Sequence, residues 1–189
     1  MKTLRISKDQ MAKRIARFEA LKPLPIQNAS IPEKARDVVY ARKLLSVIGL
    51  DTTTPISAEA PIRGAAGMTM TLAVCPPGQG PGLHSHRETF ETFTVLKGEF
   101  EVRWNDDGGE REVLRRLDTI SFPPGVCRAF RNIGSEEGIL QVIITGGVHD
   151  MNDIAFTENA RREIDAVRPG LAAEFEKAGF TFNASEIAR

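Results

Sequence analysis

The sequence contains only two cysteines, one tryptophan, one tyrosine and three histidines among 189 residues, and neither sign of charge is in excess. Cys75 and Cys127 are too few for a disulfide scaffold and match no paired metal-binding spacing, so both read as reduced thiols. Lysine plus arginine equals aspartate plus glutamate at 25 each, so no global field recruits nucleic acid or an anionic membrane. No apolar run is long enough to cross a bilayer, and the first twenty residues alternate charged and apolar positions instead of forming a secretory leader. These absences leave a cytoplasmic protein whose partner is a small molecule or another protein chain. Basic residues do gather early, at Lys2, Arg5, Lys8, Lys13, Arg14 and Arg17, but Asp9 and Glu19 interrupt them, as on a solvated helix face.

What the chain does have is 41% hydrophobic residues, enough to close a core, at a length that suits one domain with appendages. Ser7 with Gln10 three positions on forms a capping-box pattern, and Met11, Ile15 and Phe18 follow at helical spacing until Pro23. Residues 22–35, rich in Pro, Asn and Ser, read as a linker. Residues 37–48 carry both β-branched pairs and helix-spaced leucines, and the pattern selects neither state. From Gly64 the texture changes to short apolar or alternating runs divided by Gly, Pro and Asp turns. Strands are predicted at 68–74, 84–86, 92–96, 99–104, 111–114, 119–122, 128–131 and 140–145. Asn105 to Gly109 makes a strong hairpin turn, so the order is antiparallel. Thr157 caps a helix to about Val167, Pro169 breaks it, and a second runs from Leu171 to Ala178. The expected units are a helix and arm over 1–60, a β unit over 61–148 and a helical tail over 149–189.

Within the β unit, His84 and His86 lie two apart on a strand and so share a face about 7 Å apart at the backbone. Glu91 opens the next strand, where an inward carboxylate can meet the two imidazoles. Two imidazoles and one carboxylate leave coordination positions open and suit Fe(II), with Mn, Ni, Co or Zn as substitutes. Glu88 lies between these residues and reads as a surface side chain. His149, beside Asp150 and Asp153, reads as a loop histidine that reaches the site only if its loop folds over the mouth. Cys127 reads as a packing residue.

Gly78, His84-Ser85-His86, Glu91 and Gly98 stand at the spacing G-x5-H-x-H-x4-E-x6-G, which resembles the first motif of the cupin superfamily. Pro123-Pro124-Gly125 with Asn132 is similar to its second motif. The resemblance spans Gly78 to Asn132 and implies an all-β, antiparallel jelly-roll barrel with short flanking helices and one central pocket lined by His84, His86, Glu91 and Arg128. Two positions depart from the family pattern. Leu117 replaces a glycine before Asp118, and Arg128 replaces the histidine that would be a fourth metal ligand.

Arginine offers no lone pair to a metal. A guanidinium about 5 Å from a divalent cation feels repulsion on the order of 6–7 kcal/mol at an effective dielectric of about 20, so an anion must offset it. In one arrangement Arg128 pairs with Glu91 and takes the metal's place. In the other it clamps a substrate carboxylate or phosphate while the triad holds the ion. The first function these residues imply is a mononuclear metal site, holding Fe, Mn, Ni or Zn, that acts on a small anionic organic molecule in a dioxygenase-like, isomerase or lyase reaction. The second is a metal-free sensor or carrier that binds a small anion through Arg128. The flanking segments suggest a homodimer, since arms and helices outside a barrel often cover its edges in a partner.

Overall fold

The computed structural model describes residues 1–25, 30–52, 54–64, 67–147 and 152–185. Eleven strands are present among them: β1 (Lys43–Gly49), β2 (Ile62–Arg63), β3 (Met68–Cys75), β4 (His84–His86), β5 (Phe90–Lys97), β6 (Phe100–Trp104), β7 (Glu110–Leu114), β8 (Thr119–Phe122), β9 (Arg128–Asn132), β10 (Gly138–Thr145) and β11 (Ile154–Phe156). They form two sheets, one ordered β2-β1-β3-β10-β5-β8 and the other β11-β4-β9-β6-β7. Every pairing is antiparallel except the short contact of β1 with β2. The expected jelly-roll layering is present, but no ladder joins the two sheets into a closed barrel among the described residues.

Alternation along the strands accounts for the core. On β5, Glu91, Phe93 and Val95 are buried, while the intervening Thr92 and Thr94 pair outward with Ser121 and Thr119 at 2.8 and 2.9 Å. Phe93, Val95, Phe100, Val102, Phe122, Phe130, Leu140 and Val142 fill the space between the sheets. Their rings meet edge-on, as at Phe93 and Phe130 with centroids 5.1 Å apart, the geometry that ring quadrupoles favour. A second core lies outside the sandwich. Here α2 (Glu33–Val39), α4 (Glu158–Val167) and α5 (Leu171–Lys177) pack with Phe156, Phe180 and Phe182.

The strand predictions agree with the structure to within one or two residues, and the C-terminal helices follow the expected caps, with the Thr157 hydroxyl accepting from Ala160 N–H. The Ser7–Gln10 capping box also forms, yet its helix, α1 (Lys8–Ala12), ends far short of Pro23. Met11, Ile15 and Phe18 are about half exposed, so packing among the described residues is too slight to sustain further turns. Residues 37–48 resolve into both states at once: α2 ends at Val39 and β1 begins at Lys43, which is why neither period dominated. The sheets therefore take in strands from both sides of 61–148. Beyond α3 (Pro55–Ala58), β2 returns alongside β1.

Candidate metal centre

Each of the four sequence-selected side chains is buried, and the fold brings them to one place. His84 and His86 come from β4, and their shared strand face turns both rings inward with centroids 5.7 Å apart. Opposite, Glu91 stands on β5 in the facing sheet. Arg128 opens β9, where it pairs with His84 on one side and Trp104 on the other. Gly98 and Gly125 turn the chain around this group at φ of +88° and +82°, conformations that a side chain resists, and Gly125 N–H clamps β4 by donating to the His86 carbonyl at 2.7 Å.

The hydrogen bonds determine the direction in which each imidazole offers its lone pair. His84 Nδ1 lies 2.9 Å from the Gly82 carbonyl, which can only accept, so Nδ1 carries the hydrogen. His86 Nδ1 lies 2.9 Å from Asp153 Oδ2, an acceptor of the same kind. In the neutral rings both Nε2 atoms then present lone pairs, at 3.5 and 3.8 Å from Glu91 Oε2. Burial pulls His86 below its ordinary pKa, against the opposing pull of Glu91 and Asp153, so its ring is neutral near pH 7. Three acceptor atoms thus face one small space, all within 4.8 Å of one another. Facing lone pairs repel unless a cation or proton lies between them, so the donor set fits a metal ion, and the His84–His86–Glu91 cluster can hold one.

Arg128 has no solvent exposure. Its Nε donates to Glu91 Oε2 at 2.8 Å and its Nη1 to the Val126 carbonyl at 3.0 Å, while Nη2 is buried with no hydrogen-bond partner among the described residues. Burial alone would raise the Glu91 pKa, but the adjacent guanidinium, backed by the two imidazoles, holds the carboxyl well below the usual range. The contact between Arg128 and Glu91 that one sequence reading required is therefore made, and it leaves one donor of the fork unused.

Sequence reasoning missed Asp153 as a functional residue. The residue is 4% exposed, and its carboxylate accepts from His86 Nδ1, from Thr89 Oγ1 at 2.5 Å and from Glu88 N–H at 2.7 Å. Burial favours its neutral form, yet these three bonds outweigh that and keep it ionised well below its ordinary pKa. Only the pairing of β11 with β4, which sets Ile154 against His86, carries it there from 67 residues away. The Glu88 side chain is exposed, as expected, and His149 lies outside the described residues. Cys127 is buried at 2% exposure. A cavity of about 560 Å³ lies elsewhere, between the loop after β3 and the start of α4, and none of the four site residues lines it.

The family model for the cupin domain matches residues 71–144, a segment that contains all three candidate ligands and Arg128. No curated protein matches the sequence. Among solved structures, one from Bacillus halodurans is 22% identical over 47% of this chain and 70% of its own, with a TM-score of 0.44. A conserved protein with a double-stranded β-helix domain from Klebsiella pneumoniae is 24% identical over 48% and 75%, with a TM-score of 0.43. A predicted oxalate decarboxylase from Thermotoga maritima is 25% identical over 41% and 64%, with a TM-score of 0.38. Residues 71–144, the segment that carries the candidate ligands, are thus similar to the cupin domain family.

Proposed function

We propose that the protein is a metal-dependent enzyme in which His84, His86 and Glu91 hold one divalent ion and Arg128 receives the anionic group of a small organic substrate. The observation that carries this reading is the convergence of three acceptor atoms within 4.8 Å, with both imidazoles held in the tautomer a metal requires. Bound there, iron would support oxygen activation of a dioxygenase kind, whereas manganese, nickel or zinc would supply Lewis acidity for isomerase or lyase chemistry.

The chain's own residues supply the rest. Arg128 Nη2 is a buried donor without a partner among the described residues, a state that costs about 1–3 kcal/mol and that a substrate carboxylate oxygen relieves. Phe93 follows Glu91 on one face of β5, and Phe130 follows Arg128 on β9, so apolar rings flank the charged groups and limit water. Protein purified without chelators or an affinity metal column is expected to carry close to one ion per chain, or to take one up from Fe, Mn, Ni or Zn, and His84→Ala is expected to abolish uptake with the fold retained.

The Arg128–Glu91 bond favours a second reading, a metal-free carrier or sensor in which this pair substitutes for the ion and Nη2 grips a small anion. Elemental analysis separates the two readings. Protein that holds no ion and takes up none of the four metals supports the carrier and removes the enzyme.

A further inference from the structure

We propose that Asp153 is the positioning residue and counter-charge of the metal centre, an inference that rests on the metal reading above. Two jobs fall to it. It holds the His86 ring with Nε2 turned toward Glu91, and it supplies the negative charge that lets a divalent ion and a fully buried guanidinium share one site.

The positioning follows from distances. Asp153 Oδ2 lies 2.9 Å from His86 Nδ1 and 2.5 Å from Thr89 Oγ1, while Oδ1 takes the Glu88 N–H at 2.7 Å. Its own carbonyl accepts from Arg87 N–H at 2.8 Å. The turn between β4 and β5, and with it the relation of His86 to Glu91, is therefore tied to one carboxylate delivered from the far end of the domain. A carboxylate behind a ligating imidazole fixes ring orientation and raises ligand basicity.

The second job follows from counting charges. A divalent ion, Glu91 and Arg128 sum to +2 inside a buried site. Asp153 lowers the sum to +1, which a single carboxylate neutralises. The orphan Nη2 of Arg128 provides a donor for that carboxylate, so the structure points to a monocarboxylate as the substrate class.

The test compares Co²⁺ binding to the whole chain and to Asp153→Asn, by chelator competition and by the visible spectrum of the bound ion, followed by titration of the loaded centres with acetate. In Asp153→Asn the Co²⁺ affinity is expected to fall about 10–100-fold. Acetate affinity at the loaded centre is expected to rise on the order of tenfold, because the uncompensated charge grows. A merely structural role would weaken both together, and that result, or no change in either, overturns the inference. Thr89→Val keeps the Asp153 charge but removes one of its bonds, and covers the case in which the first variant fails to fold. Its Co²⁺ affinity is expected to fall with acetate affinity unchanged, and an unaltered Co²⁺ affinity overturns the positioning role. A wild-type protein that takes up no Co²⁺ refutes the metal reading itself, a result distinct from these.

Discussion

Replacing Arg128 by methionine removes one partner of a buried ion pair and leaves the other in place. Arg128 is fully buried and its Nε lies 2.8 Å from Glu91 Oε2, so the variant strands a carboxylate opposite two imidazole lone pairs. Breaking such a pair costs about 3–5 kcal/mol. The substitution also removes the unpartnered Nη2, which relieves about 1–3 kcal/mol. Methionine fills most of the vacated volume, so the net loss in metal-free protein at pH 7 is about 2 kcal/mol, or a fall of roughly 4–8 °C in Tm for a chain of this size. Chelator-treated wild type and variant are compared by thermal and urea unfolding. The double variant with Glu91→Gln is expected to recover part of the loss, because no carboxylate is then left unpaired. Zn²⁺ is expected to raise the Tm of Arg128→Met more than that of wild type, since the positive neighbour of the ion is gone. If metal-free Arg128→Met is as stable as wild type at pH 7, the pair does not form and the electrostatic account of the site fails.

Two further outcomes follow from the same geometry. Acidification should destabilise the metal-free protein in two stages: the unfolded His86 takes up a proton as pH falls below its ordinary 6.5 while the folded ring resists, and the unfolded carboxyls of Glu91 and Asp153 do so below their ordinary 4.5 and 3.8. In each stage the unfolded chain binds the extra proton, so stability is full above the ordinary value and declines below it; urea midpoints that stay flat from pH 7 to 3 would contradict these shifts. Leu117→Gly should raise stability, because Leu117 sits at φ +75° with its side chain 65% exposed, and relief of about 1–2 kcal/mol of left-handed strain exceeds the glycine's extra entropy in the unfolded state. A lower urea midpoint for that variant would mean that the leucine makes contacts worth more than the strain.

How much of this was legible from the chain depends on the range of the interaction. Strand limits, the Asn105–Gly109 hairpin and the C-terminal caps rest on neighbours a few residues apart, and they agree with the structure. The same holds for His84, His86 and Glu91, which a two-residue period and one turn bring together. Leu117 was visible as a departure from glycine, and its positive φ supplies the physical reason a glycine belongs there. The N-terminal helix failed for the opposite reason: its local pattern is sound, as the capping box testifies, but its apolar residues stay about half exposed and packing among the described residues does not extend it.

Asp153 marks the limit of local reading. Nothing in the residues around it distinguishes it from the acidic groups of any loop, and its role exists only because three residues of β11 pair with the strand that carries both histidines. Arg128 shows the converse. Its departure from the family's histidine was evident in sequence, and taken alone it argued against a metal, since a guanidinium beside a divalent ion is repelled. Where the sequence offered only Glu91 or a substrate to offset that repulsion, the fold adds a third carboxylate behind His86, 2.9 Å from its ring. With Glu91 and Asp153 both ionised against one arginine, the metal-free cluster carries a net negative charge around converging lone pairs, a charge that a divalent ion would offset even beside the arginine.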